Sequence, residues 1–196
     1  MASQYLATTA SLSRRLCCTY FCYNRLKIEQ QKESFVELER TLIIFKPDAI
    51  QRAIVGEVLS RFENVGLKIV ATKMVSPDED HYYHHYETIG KMVSRRGEAQ
   101  FKVQLGAMQE GPVIAMILEG VEAVALVRKL VGATNAKEAA PGTIRGDYAH
   151  ASLDYVNSHN VALPTVLHAS GDPDEAKDEI SHWFKSEEIY DGYQTV

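Results

Sequence analysis

Cysteine is missing from most of this chain. All three cysteines, Cys17, Cys18 and Cys22, lie near the start of a chain of 196 residues. An odd number without a repeated pair spacing excludes a disulfide framework and the usual cysteine-rich zinc sites. We therefore expect a fold held together by apolar packing, for which an apolar content of 45% is sufficient.

Long apolar runs and an excess of positive charge are also missing. No stretch approaches the roughly 18 uninterrupted apolar residues that a membrane span needs, so we expect no membrane partner. Lys and Arg number 21 against 26 Asp and Glu, which gives a net charge of −5. Proteins that neutralise a nucleic-acid backbone concentrate Lys and Arg, so this composition argues against a nucleic-acid partner.

Two common ATP-binding motifs are absent as well. The chain has neither a Gly-x-x-x-x-Gly-Lys-Ser/Thr loop nor the Gly-rich loop of protein kinases. An RNA-binding sheet of the aromatic-strand type is excluded too, because no Arg/Lys-Gly-Phe-Gly-Phe type of strand occurs.

Acidic residues are absent from residues 1–28, which contain four basic residues and several Ser and Thr. This composition is typical of an organelle transit peptide, but its amphipathicity is poor. We expect a disordered N-terminal extension over 1–38, a domain over 39–190 and a C-terminal tail over 191–196. The expected location is cytoplasmic, and the alternative is organelle targeting through residues 1–28.

Hydrophobic periodicity predicts one α/β domain. Short β-rich apolar runs indicate four strands, at 41–45, 67–75, 113–118 and 165–168. Segments whose apolar residues recur at helical spacing separate these strands, and the sequence over 78–108 is mostly helical. A last helix runs from Pro173 to about Phe184 and is capped by Asp172. This order predicts an α/β (α+β) ferredoxin-like sandwich, in which helices cover a four-stranded antiparallel sheet.

A polar run punctuated by Gly and Pro occupies 132–135 and 141–147. It holds a hydroxyl, Thr134, and a fixed cation, Arg145, beside flexible backbone, which is what a polyphosphate-binding loop requires. Arg128 precedes this loop and His168 follows it. Together these residues suggest phosphoryl transfer.

His168 is the candidate nucleophile. Near neutral pH one imidazole nitrogen already offers a free lone pair, so attack on a phosphate needs no prior deprotonation. The alternative for a single histidine is a buried structural role. We expect the other six histidines to lie on surfaces, and we interpret the spacing of His81, His84 and His85 as that of solvated helix residues rather than of a metal site.

Three segments in order resemble nucleoside diphosphate kinases. They are Phe-Lys-Pro-Asp at 45–48, the loop at 132–147, and His-Ala-Ser at 168–170, within a match that covers about 39–188. The resemblance implies transfer of the γ-phosphate of a nucleoside triphosphate, mainly ATP, to a nucleoside diphosphate through a pros-phosphohistidine in a ping-pong cycle. It also implies the ferredoxin-like fold, Mg²⁺ carried by the nucleotide phosphates, and a homo-oligomer, either a tetramer or a hexamer.

The resemblance implies supporting roles around His168. Glu179, just before an Ile-x-x-Trp-Phe run, would fix the ring tautomer, Ser170 would support Glu179, and Tyr86 would place a hydroxyl near the nucleophile. Five further residues would bind the nucleotide: Lys46, Arg128, Thr134, Arg145 and Thr165.

The chain departs from the family pattern beside the site. Pro164 and Thr165 replace the usual Arg-Asn before the nucleophile, and 148–163 is longer than usual. The segment 89–111 lacks the family's Arg-Pro-Phe-Phe, which leaves Arg95 or Arg96 as candidates for its phosphate arginine and Phe101 for its base-stacking aromatic. Ala136 replaces a proline of the subunit-interface loop. These departures motivate an alternative, a nucleotide-binding homologue that has lost catalysis, against which the retained His168 argues.

Overall fold

The computed structural model describes residues 38–193. The predicted extension, apart from Leu38, and the last three residues of the predicted tail lie outside this range.

A four-stranded sheet forms the centre of the fold. Its strands are β1 (Leu38–Phe45), β2 (Lys68–Val75), β3 (Val113–Val121) and β4 (Leu167–Ala169). They lie in the order β2-β3-β1-β4 and every neighbouring pair is antiparallel. This confirms the predicted ferredoxin-like sandwich.

Helices and helical turns connect the strands. In chain order the helices are α1 (Pro47–Gln51), α2 (Val55–Glu63), α3 (Glu79–Tyr83), α4 (Met92–Arg96), α5 (Glu98–Met108), α6 (Ala123–Val131), α7 (Ile144–Tyr148), α8 (Leu153–His159) and α9 (Pro173–Trp183). A π-helical turn, His84–Ile89, follows α3, and 3₁₀ turns lie at Ala136–Glu138 and Ser186–Glu188. No helix in the stretch from Leu38 to Tyr193 is both long and apolar enough to cross a bilayer.

The sheet buries both of its faces. Successive side chains of a strand point to opposite faces, and in β1 four consecutive apolar residues are fully buried. Ile43 and Phe45 pack in one cluster with Phe62 of α2. Leu42 and Ile44 belong to the cluster on the other face, which includes Trp183 of α9. Each such burial contributes about 1.5–3 kcal/mol, so the central strand is fixed from two sides.

The fourth strand begins later than the sequence predicts. Val166 has φ of 66°, in the left-handed region that β-branched residues rarely adopt. The Leu167 amide donates to the Thr165 carbonyl at 2.7 Å, which closes a three-residue γ-turn. This turn takes Thr165 and Val166 out of the strand, so pairing with β1 starts at Leu167.

The chain after α9 returns to the sheet. The Tyr190 amide donates to the Val70 carbonyl of β2 at 2.8 Å, and Arg40 of β1 pairs with Asp191. Asp191, the first residue of the segment predicted as a tail, therefore contacts β1, and its carbonyl accepts from Lys68 of β2 at 3.4 Å.

Candidate active site

His168 lies in the middle of β4, paired with Ile44 of β1, and its side chain is 18% exposed. Its Nε2 is 2.7 Å from Oε1 of Glu179. The other carboxylate oxygen of Glu179 accepts from the Ser170 hydroxyl at 2.6 Å. Both Glu179 and Ser170 are fully buried. The three predicted residues thus form one chain of hydrogen bonds that opens to solvent only at His168.

Helix α9 places Glu179 by its local sequence. Asp172 caps the helix by accepting from the Glu175 amide at 2.8 Å, and Pro173 occupies the first turn. Ala176, Glu179 and Trp183 form the buried face of α9, at spacings of three and four residues. The carboxylate is therefore fixed by a helix packed on the sheet.

The contact with Glu179 determines which nitrogen of His168 is available. A carboxylate can only accept, so Nε2 carries the proton and donates to Glu179. Nδ1 then has a free lone pair. The arrangement is that of a nucleophile whose tautomer is held by a buried carboxylate.

Lys46 follows directly after β1 and is 8% exposed. Its amide donates to the Val166 carbonyl at 3.0 Å, so the γ-turn and Lys46 hold one another in place. Burial, followed by repulsion from Arg145, lowers the pKa of Lys46 to about 7. An anion in the cleft would restore its charge.

Arg145 lies in α7 and is 4% exposed. Its guanidinium donates to the carbonyls of Leu167 at 3.0 Å and of Gly132 at 3.2 Å, and to the Thr134 hydroxyl at 3.4 Å. Burial, followed by repulsion from Arg128, lowers the pKa of Arg145 to about 10. Arg145 thus ties the predicted phosphate loop to the strand that carries the nucleophile.

The loop around Arg145 is closed by its own polar residues. The Thr143 hydroxyl caps α7 by accepting from the Gly146 amide at 3.1 Å. A Cβ at position 146 would overlap the carbonyl oxygen of Ala140, so this position requires glycine.

A cleft of about 290 Å³ brings the predicted residues together. Arg128 of α6 reaches it with Nη1 at 3.5 Å from the Ala169 carbonyl. Of the residues predicted to act in the site, all but the buried Ser170 line this cleft: Lys46, Tyr86, Arg128, Thr134, Arg145, Thr165, His168 and Glu179.

Tyr86 also faces the cleft. Its ring centroid is 6.3 Å from that of His168, and burial raises the pKa of its hydroxyl. The hydroxyl has no hydrogen-bond partner within residues 38–193, so it is a free donor beside the nucleophile.

His85 is a correction to the prediction that the other six histidines lie on surfaces. Its side chain is fully buried, 4.6 Å from the His168 ring between centroids, and burial holds its pKa well below the ordinary value. Nδ1 accepts from the Trp183 indole at 3.2 Å and lies 3.6 Å from Glu179. Because neutral His85 accepts a hydrogen bond at Nδ1, this nitrogen carries no proton to donate to Glu179. Oε1 of Glu179 is therefore available to accept from His168. The helical spacing of Tyr82, His85 and Tyr86 could have revealed this burial.

Two further histidines are only half-buried rather than fully on the surface. The rings of His81 and His182 stack with centroids 3.9 Å apart. Burial lowers the pKa of His81 to about 4.

The residues predicted to replace the missing Arg-Pro-Phe-Phe do not all lie at the cleft. Phe101 is 5% exposed and packs in the core with its ring 5.6 Å from that of Tyr83, so it does not line the cleft. The prediction of Phe101 as a base-stacking candidate is therefore wrong. Arg95 and Arg96 both line the cleft. Arg96 lies close enough to Lys46 and Arg145 to lower the pKa of each.

The sequence and the fold both match known proteins. A family model described as nucleoside diphosphate kinase matches residues 39–189. A nucleoside diphosphate kinase from Pyrococcus furiosus is 46% identical over 155 residues, which cover 79% of this chain and 88% of the relative. Nucleoside diphosphate kinase 4, chloroplastic, from Spinacia oleracea is 39% identical over 83% of this chain and 62% of the relative.

A solved structure shares the fold. It is a nucleoside-diphosphate kinase from Borrelia burgdorferi, described as a transition state mimic with bound vanadate and ADP. The TM-score is 0.76 at 43% identity, over 80% of this chain and 93% of that one. The fold, the ordered motifs and the family match agree, and this chain belongs to the nucleoside diphosphate kinase family.

Proposed function

We propose that this chain moves the γ-phosphate of a nucleoside triphosphate, mainly ATP, to a nucleoside diphosphate through a phosphorylated His168. The observation that carries this assignment is the 2.7 Å contact between Nε2 of His168 and buried Glu179. It leaves Nδ1 as the attacking atom and gives the imidazolium-like transition state a carboxylate partner.

The first half of the cycle forms a phosphoenzyme. Nδ1 of His168 attacks the γ-phosphorus of ATP, the bond from that phosphorus to the β,γ-bridging oxygen breaks, and ADP leaves with that bond's electron pair. In the second half, a terminal oxygen of the incoming diphosphate attacks the same phosphorus and His168 regains its lone pair. The same site serves both halves, so ADP must leave before the acceptor diphosphate binds. The kinetics are therefore ping-pong.

The cations of the cleft stabilise the charge on the transferring group. Arg128, Arg145 and Lys46 line the cleft that contains His168, and Thr134 adds a hydroxyl. Phosphoryl transfer depends mostly on positioning and on neutralising charge on the phosphate oxygens. In our proposal Tyr86 donates its free hydroxyl beside the transferred group, and Thr165 lies on the sugar side of the cleft.

In our proposal Mg²⁺ is bound by the nucleotide phosphates rather than by the protein. Across residues 38–193, His85, His168 and Glu179 form the single group of potential metal ligands, and Glu179 is already bonded to His168 and Ser170. The cleft therefore has no free carboxylate cage. Mg²⁺ held by the phosphate oxygens and water fits a cleft lined by cations.

Radiolabelling tests the proposed function. The purified full chain is incubated with γ-labelled ATP and then chased with different nucleoside diphosphates. We expect an acid-labile, alkali-stable label on the protein, discharged by each diphosphate with formation of the corresponding triphosphate. Failure to label the protein, or a label that diphosphates do not discharge, would refute the proposal.

A homo-oligomer, either a tetramer or a hexamer, is part of the proposal. Strand β2 lies at one edge of the sheet, and Met74 is 58% exposed. Among the described residues, the segment after α9 bonds the β2 backbone at Ile69 and Val70. An edge strand with unpaired backbone favours pairing with another chain. Light scattering of the purified protein gives the mass directly, and a monomer would contradict the proposal.

We propose a cytoplasmic location, with organelle import through residues 1–28 as the alternative. The Spinacia relative named chloroplastic is the observation that favours the alternative. A fluorescent protein fused after residue 38 distinguishes the two locations.

A further inference from the structure

Gln104 places an amide side chain at the active-site cleft. It lies in α5 between the core residues Phe101, Leu105 and Met108 and is only 8% exposed. It lines the cleft of His168 and also an adjoining small cavity of about 70 Å³ that it shares with Lys46 and Leu163.

A packing role does not explain an amide at this position. The side-chain oxygen and nitrogen of Gln104 remain accessible to solvent, and they form no hydrogen bond within residues 38–193. Because those atoms face the open cleft, a ligand in the cleft can bond the amide, which it could not do with leucine or methionine at this position. A polar side chain among apolar neighbours is typical of positions where a ligand supplies its partner.

The position of Gln104 relates it to the nucleophile. Its amide is close enough to the Tyr86 hydroxyl to favour ionisation of that group, although their geometry is not that of a hydrogen bond. The Tyr86 ring in turn lies 6.3 Å from the His168 ring between centroids. Tyr86 therefore lies near both Gln104 and His168, and all three residues line one cleft.

The chemistry of Gln104 differs from that of its neighbours. Lys46, Arg128 and Arg145 are cations suited to phosphate oxygens, whereas an amide is neutral and both donates and accepts. A hydroxyl, which also donates and accepts, is its natural partner. In a nucleotide the ribose directly follows the phosphates, and Gln104 lines the same cleft as His168.

We propose that Gln104 is a specificity-determining residue whose amide hydrogen-bonds a ribose hydroxyl of the bound nucleotide. The inference rests on the proposed phosphoryl transfer through His168. Thr165, which is 4% exposed and lines the same cleft, has a shorter side chain, so the longer Gln104 provides the amide that the sugar side of the cleft otherwise lacks.

The test compares two substrates that differ only in the hydroxyls. Gln104→Leu and wild type are assayed for kcat/KM with ADP and with 2′,3′-dideoxy-ADP, using GTP as donor. We expect Gln104→Leu to lose about three- to tenfold with ADP, the effect of one neutral hydrogen bond, and to be unchanged with the dideoxy substrate. Gln100→Leu, on the same helix but outside the cleft of His168, should keep the wild-type ratio between the two substrates.

Equal losses with both substrates would overturn the inference, because a group that only supports the fold affects them alike. An unchanged kcat/KM with ADP would also overturn it. The linear variant Gln104→Met replaces leucine if melting curves show that Gln104→Leu is unfolded. If neither variant folds, a crystal structure of the wild type with ADP decides, since an amide more than about 3.5 Å from both ribose hydroxyls refutes the contact.

Failure of the proposed function would look different. Wild-type protein would then show no turnover with ADP at all. Failure of the Gln104 inference leaves an active wild type whose sugar preference does not depend on this side chain.

Discussion

The carboxylate of Glu179 fixes the orientation of the nucleophile. It is fully buried and accepts from both His168 and Ser170. Buried polar groups that are all paired fix one geometry, so the ring of His168 is oriented before substrate arrives.

Glu179→Gln should lower kcat/KM about 10- to 100-fold, since a charged hydrogen bond to His168 is worth about 1.5–3 kcal/mol. Stopped-flow measurement of phosphoenzyme formation checks this. Asp178→Asn, the exposed neighbour on α9, is the matched control and should be near wild type. Equal rates for wild type and Glu179→Gln would remove the carboxylate from the mechanism.

Burial of the Lys46 ammonium destabilises the folded chain, and this destabilisation should depend on pH. The pKa of Lys46 falls from an ordinary 10.5 to about 7 on burial, so between these values the unfolded chain binds a proton that the folded chain does not. Stability of the wild type therefore rises with pH across this window, and the cost is fully present below pH 7. Lys46→Met should raise Tm by about 3–6 °C at pH 6 and by less at pH 9, while nucleotide binding weakens.

Calorimetry at the two pH values measures this effect, and Lys129→Met on the surface end of α6 is the control. A Tm gain that is the same at pH 6 and pH 9 would show that the Lys46 ammonium is not the source.

At the element scale, much of the fold could be predicted from the sequence. Asp172 and Pro173 marked the start of α9 because capping depends on local residues. The beginning of β4 could not be predicted, because the γ-turn at Val166 is held by the amide of Lys46, far away in sequence. The core position of Phe101 was missed because it depends on how α5 packs in the folded chain, whereas the burial of His85 had a signal in its helical spacing from Tyr82 and Tyr86.

The loop that carries Arg145 should tolerate no side chain at position 146. Gly146→Ala places a Cβ on the Ala140 carbonyl oxygen, and we expect a loss of about 1–3 kcal/mol in unfolding free energy together with weaker nucleotide binding. Gly106→Ala in α5 meets no neighbour within 4 Å and should stabilise by about 0.5–1 kcal/mol. Urea unfolding of both variants gives the comparison, and equal free energies would contradict the predicted clash.

At the scale of the whole molecule, both core clusters and every residue assigned to the site lie within 38–193. A chain that begins at Glu39 should therefore keep its turnover, and its Tm should stay within a few degrees of the full-length value. Scanning calorimetry and a coupled assay of both chains test this. A drop in Tm of 10 °C or more would show that residues before Glu39 pack on the domain or bridge subunits.

In our proposal, Nδ1 of His168 is the atom that accepts the phosphoryl group. Phosphohistidine isomers differ in which ring nitrogen carries phosphorus, and NMR of the phosphoenzyme with ¹⁵N-labelled histidine distinguishes them. We expect a single pros-phosphohistidine, on Nδ1 of His168, and none in His168→Ala. Phosphorus on Nε2, or on any other residue, would contradict it.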